Sequence, residues 1–325
     1  MVNYPIKFDI KPMFEAAGVP IPNPGIVSLY DRMEVPETNP NDEWITLGLA
    51  AMDILRQQGF SPVRVADVGT GNGILAIGSA HVFKPEAIHL TDIVESVLGP
   101  SERNLRQNLP PNYNPIITRK GGRDAEPLPN GIDFVTNSPP PLMVEDESIL
   151  SKGLARTTLI EYRNYAQYAI GTDDPLLKWS VLPLYKFLLD TKQKLAPNGK
   201  ILVLYSGRIP FSTIEEAYRR AGLTLEVPLS IIKKQQDPVY LKHYADYERR
   251  HLNGDTFHFY RYDQARELMR QEGYEMPGLI KLPNAEIKRI LAPVRISANE
   301  AYKIALTGQP VAHVGYALVG RLPEN

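Results

Sequence analysis

Val65-Ala-Asp-Val-Gly-Thr-Gly-Asn-Gly73 is the stretch on which the reading of this chain turns. It continues the apolar run from Val63 to Val68 and is followed at once by Ile74-Leu-Ala-Ile-Gly-Ser-Ala80. The pattern predicts a strand, a tight turn and a helix, the start of a βαβ unit. Glycines at such a turn let the backbone bend sharply and bring main-chain N–H groups to a ligand at the helix amino terminus. The spacing here is Gly69, Gly71, Gly73, and Ile74 stands where the dinucleotide fingerprint places its third glycine. Asp67, just before the turn, would repel a pyrophosphate and suits a ligand carrying an ammonium and a sulfonium. The competing reading is that its side chain only orders the turn.

Outward from this unit the alternation continues. Strands are expected at Ala87–Leu90, near Ile116-Ile117, at Asp133–Thr136, Lys200–Tyr205 and Leu223–Val227. Helices are expected from Asp42 to Gly59, over Glu95–Gln107 and Leu182–Leu195, and from Ser212, with Glu215 as its capping-box partner, to Gly222. Strands separated by helices predict an α/β fold, a doubly wound, Rossmann-like, mostly parallel sheet. Residues 1–41, rich in proline and glycine, read as an irregular N-terminal arm. Residues 42–262 form the ligand-binding domain with a helical lid inserted at about 142–180. Residues 263–325 form a C-terminal extension, with a second capping box at Ser297–Glu300 and a last strand at Ala312–Val319.

The charges nearly cancel, 36 basic against 37 acidic, so no whole-protein field favours nucleic acid, a membrane surface or an anionic substrate. The expected partner is a small molecule; nucleic acid is not, and Arg219-Arg220, Lys233-Lys234 and Arg249-Arg250 read as solvated pairs. The absence of cysteine excludes disulfides and thiolate chemistry and fits a cytoplasmic protein. No stretch approaches the ~20 apolar residues of a membrane helix. The six histidines lack metal-ligand spacing, so no metal is expected.

Asp92, in Leu90-Thr-Asp-Ile93, ends the second strand, where a carboxylate takes both ribose hydroxyls or caps the next helix. With these residues the chain resembles the class I S-adenosylmethionine (SAM)-dependent methyltransferases, over roughly residues 42–227. The resemblance implies SAM as co-substrate, with Asp67, Gly69, Gly71, Asn72 and Gly73 around its methionyl part and Asp92 with Ile93 at its ribose. It also implies Asp124 with Ala125, in Gly121-Gly-Arg-Asp-Ala125, near adenine. Asp133-Phe-Val-Thr-Asn-Ser-Pro-Pro-Pro141 is similar to the Asn-Pro-Pro-Tyr turn of the release-factor glutamine methyltransferases, as is, more faintly, Glu34-Val-Pro-Glu-Thr38. Here Ser138 separates Asn137 from the prolines, or Pro141 replaces the aromatic, so Asn137 and Ser138 stand at the catalytic position without the family's full acceptor set. The alternative is a rigid turn without a chemical role.

Tyr162, Tyr165 and Tyr168, three apart, would share one side of a lid helix, where they face a sulfonium or simply pack. Tyr168 is the one assigned a catalytic part. Ser206 is a candidate polar group of the pocket or a plain strand end. Methylation of a small molecule on N, O or S leads. The rivals are a SAM-consuming cyclase similar to the azetidine-carboxylate synthases, a protein or nucleic-acid methyltransferase, and a non-catalytic SAM-binding protein.

Overall fold

A computed structural model describes residues 4–151 and 158–323. The arm holds strand β1 (Ile6–Asp9), helix α1 (Lys11–Ala17) and strand β2 (Ile26–Leu29), and β1 pairs antiparallel with β2. Helix α2 (Trp44–Gln57) leads into β3 (Arg64–Val68), α3 (Ile74–Val82), β4 (Ala87–Asp92), α4 (Glu95–Gln107), β5 (Ile116–Gly121) and β6 (Ile132–Asn137). After β7 (Leu142–Val144), β8 (Leu159–Glu161) and α5 (Pro175–Lys178) the alternation resumes with α6 (Leu182–Lys192), β9 (Leu195–Ser206), α7 (Phe211–Ala221) and β10 (Thr224–Gln235). Then come α8 (Pro238–His251), β11 (Phe259–Arg261), α9 (Tyr262–Gln271), β12 (Leu279–Ile280), α10 (Asn284–Leu291), β13 (Arg295–Ile296), α11 (Ala298–Leu306) and β14 (Val311–Arg321).

The main sheet runs β12-β10-β14-β9-β6-β3-β4-β5, with β11 and β13 off this path. From β9 to β5 every pair is parallel, whereas β14 is antiparallel to both β9 and β10. Alternate residues feed opposite cores. Val65, Phe134, Leu202 and Leu204 pack with α1, α2 and α3 on one face, and Ala66, Val135, Ile201 and Val203 pack with α6 and α7 on the other. This is the doubly wound arrangement expected from the strand-helix alternation. The strand order reverses beside β3: β4 and β5 lie to one side of it and β6 and β9 to the other. The crevice at the carboxyl ends of β3 and β6 is therefore where such a sheet takes a ligand.

The residues after 263, set apart in the sequence as an extension, supply β12 and β14 to this same sheet. The 142–180 insertion holds a short parallel pair, β7 with β8, followed by 3₁₀ turns at Tyr162–Asn164 and Ala166–Tyr168 and then α5. Two 3₁₀ turns thus replace the continuous helix expected to align its tyrosines. Helix α7 also departs from expectation. It begins at Phe211 after Pro210, whose fixed φ already sets the turn, and no side chain caps it, so the Ser212–Glu215 box does not form there. The Ser297–Glu300 box at α11 does form. Among the described residues no helix is long and apolar enough to cross a membrane.

Candidate functional site

Between β3 and α3 the three glycines all take positive φ: 67° at Gly69, 49° at Gly71 and 81° at Gly73. At Gly73 an added Cβ would also meet the backbone oxygen of Ser101 at 3.1 Å, so this loop needs glycine for conformation and for space. Asn72 Oδ1 accepts from Ile74 N at 3.2 Å, at the start of α3. Its Nδ2 donates to the Glu34 carbonyl at 3.3 Å, which brings the arm over the loop.

Asp67 is buried, and its two oxygens accept from Thr70 Oγ1 at 2.8 Å and Thr136 Oγ1 at 2.7 Å. Burial, opposed by these hydroxyls and reinforced by the nearby Asp92, pushes its carboxyl up to about 6. It therefore orders the turn and also lines the cleft beside the loop. Asp92 at the end of β4 accepts from Gly71 N at 3.0 Å and Val94 N at 2.8 Å. A carboxylate offers about four lone-pair positions, so two remain for a ligand's hydroxyls. Burial shifts this carboxyl upward as well.

Asp124 sits in a left-handed turn at φ 49° with Tyr165 Oη 3.3 Å from each of its oxygens, and burial first of all pushes it up to about 6. Ala125 beside it is fully buried. Asn137 ends β6, registered against Val68 of β3. Its Nδ2 donates to the Val68 carbonyl at 2.8 Å, and its Oδ1 is a buried acceptor with no partner among the described residues.

Three cavities meet at the 138–141 turn. A cleft of about 200 Å³ contains Asp67, Gly69, Gly71, Asn72, Asp92, Ile93 and Ser138. A recess of about 80 Å³ contains Gly69, Ile93, Asp124, Asn137 and Tyr165. A chamber of about 600 Å³ shares Glu34, Trp44, Ser138 and Leu204 with the cleft and continues to Ser206, Arg208, Lys233 and Tyr240. The expected cofactor-binding residues Asp67, Gly69, Gly71, Asn72, Asp92, Ile93, Asp124 and Asn137 thus line adjoining cavities, whereas Gly73 closes the loop against Ser101 without lining them and Ala125 is in the core. Ser138 is exposed between cleft and chamber. Tyr165 joins the recess as the partner of Asp124.

Tyr168 does not line these cavities; its ring lies 5.4 Å from the Lys186 ammonium. Tyr162 stands apart from them too. Ser206 lines the chamber, where its Oγ accepts from Arg208 N at 3.2 Å and Nη1 at 2.9 Å. Glu34, Trp44 and Arg208 were missed in the sequence as site residues. Arg208 follows the quoted Ser206-Gly207 pair directly, but a single arginine after a strand carries no signal of its own. Glu34 is exposed, and it lines both cleft and chamber.

No family model matches the sequence, and no curated protein matches it. Solved structures that are similar include the YcgJ protein from Bacillus, 14% identical, with a TM-score of 0.43 over 86% of this chain and 99% of that one. The ribosomal protein L11 methylase from Lactobacillus delbrueckii is 17% identical, with a TM-score of 0.36 over 60% and 74%. A TehB-like SAM-dependent methyltransferase from Corynebacterium glutamicum is 12% identical, with a TM-score of 0.32 over 57% and 76%. At such scores the site has to be judged by its own geometry.

Proposed function

We propose that this chain is a SAM-dependent methyltransferase acting on a small molecule. The observation that carries the reading is the 600 Å³ chamber opening beside the glycine-loop cleft across Ser138. A cyclase that uses only SAM has no need of a second chamber, whereas a methyl acceptor does.

In this reading the loop glycines, Asn72 and Asp67 embrace the methionyl part, and the free lone pairs of Asp92 take the ribose hydroxyls beside Ile93. Asp124 and the spare Asn137 oxygen offer acceptors to the amino group of adenine. The unpartnered Asn137 oxygen fits such a ligand, because a buried acceptor costs stability unless something bonds it, and the glycine loop leaves room for the ligand beside its backbone. The acceptor enters the chamber and attacks the sulfonium methyl. The methyl–sulfur electron pair stays on sulfur, S-adenosylhomocysteine leaves, and the acceptor sheds a proton. Glu34, shared by cleft and chamber, is placed to receive it. Holding the two reactants together and excluding water supply most of the acceleration.

The test is incubation with SAM alone and with small acceptors. We expect no turnover without an acceptor and S-adenosylhomocysteine with one. Enzyme-dependent methylthioadenosine from SAM alone would overturn methyl transfer in favour of cyclisation.

A further inference from the structure

We infer that the chamber receives its small molecule by a carboxylate, with Arg208 as the receptor. Identifying that molecule as the methyl acceptor rests on the function proposed above; the anion site itself does not.

Arg208 is 2% exposed and lines the chamber. Each of its side-chain hydrogen bonds goes to an uncharged group: Nη1 to Ser206 Oγ at 2.9 Å and Tyr244 Oη at 3.3 Å, and Nη2 to His313 Nε2 at 2.7 Å. His313 is fully buried, and burial together with Arg208 and Lys233 holds its imidazole neutral, so it can accept this bond. The Nε hydrogen has no partner among the described residues. The rings of Tyr240 and Tyr244 lie 5.0 Å from the guanidinium carbon and that of Phe259 5.6 Å. They fix its plane and offset part of the cost of burying it.

The second buried cation of the chamber is differently placed. Lys233 Nζ donates to the Asp42 carbonyl at 2.7 Å and sits 3.6 Å from Glu37 Oε1, with Glu34 and Glu43 also in its field. Of the chamber's acids, Glu34 and Glu37 lie in the field of Lys233 and Asp237 accepts from Val239 N at 2.8 Å at the start of α8; among the described residues no acid pairs with Arg208, whose partners there are neutral. A buried guanidinium without a counter-ion is costly. Its planar fork suits a carboxylate. Trp44, Leu159 and Leu204 line the same chamber, so the ligand it fits is a monoacid with an apolar body.

The experiment titrates the full chain, saturated with S-adenosylhomocysteine, with phenylacetate and hexanoate and with their neutral isosteres phenylacetamide and hexanamide. The carboxylates are expected to bind roughly 30-fold or more tightly than the amides, the factor of a buried charge pair. Arg208→Met should level the two series while leaving S-adenosylhomocysteine affinity unchanged. If that variant fails to fold, the comparison of isosteres on the wild-type chain decides alone. Amides binding as well as acids, or neither binding while S-adenosylhomocysteine does, would overturn the inference. So would an Arg208→Met chain that loses S-adenosylhomocysteine, because the guanidinium would then belong to the amino-acid end of SAM. Acids that bind a chain with no affinity for S-adenosylhomocysteine would uphold the anion site and sink the methyltransferase reading.

Discussion

In the glycine-loop cleft the two acids at the strand ends come from β3 and β4, and each is held by hydrogen bonds from adjoining strands and turns: Thr70 and, from β6, Thr136 on Asp67, Gly71 and Val94 on Asp92. In the chamber the walls come from the arm, the 138–141 turn, the end of β9 and α8, and of its two cations Arg208 has neutral partners. The first region holds the buried carboxylates of Asp67 and Asp92; the second holds the buried guanidinium of Arg208. On the proposed reading, the carboxylates of the cleft and the Arg208 guanidinium of the chamber would sort two reactants of opposite charge before chemistry begins.

The comparison breaks most readily at Gly71. Valine there must adopt φ 49° and displaces the N–H that Asp92 receives, so Gly71→Val is expected to weaken SAM binding more than 100-fold by calorimetry. Near-wild-type affinity would remove the loop from the site. Asp92→Ala should follow with a loss of roughly 1.5–3 kcal/mol in SAM binding, the range for hydrogen bonds to a charged group. Unchanged affinity with unchanged circular dichroism would leave Asp92 as no more than a brace for the loop.

The smallest effect sharpens the charge contrast. Burial pushes the Asp67 carboxyl up to about 6, and a sulfonium or ammonium favours its carboxylate form. Affinity for SAM should accordingly rise about tenfold between pH 5 and 7 as the carboxylate fraction grows, and Asp67→Asn should flatten that rise. A wild-type affinity independent of pH over this window would show that Asp67 faces no cation.

What the sequence made legible follows the same division. The cleft could be read because a strand, three glycines and an acid at the end of the next strand lie within a few dozen residues, and their geometry is set by local backbone rules. The chamber could not, because Leu159, Arg208, Lys233 and Tyr240 meet only once the sheet has formed. The tyrosines of the insertion misled for a physical reason: spacing of three fits an α-helix and successive 3₁₀ turns alike, and only Tyr165 reaches the recess. Proline 210 similarly took the start of α7 from Ser212, since its ring fixes the entry of the chain before a serine can cap it.

The position of β14 bears on how the chain acquires its shape as it is made. It is the last strand in sequence order, yet it lies between β9 and β10, pairing with both along most of its length. During synthesis β9 and β10 leave the ribosome with facing edges unfilled, and since both run antiparallel to β14 they are parallel to each other and free to pair directly. The apolar run of β14, buried from Val311 to Gly320, must enter that seam afterwards. Such late, long-range strand insertion is slow because loop closure precedes any reward from packing. For a nascent chain the seam between β9 and β10 is the place where a chaperone has most to guard.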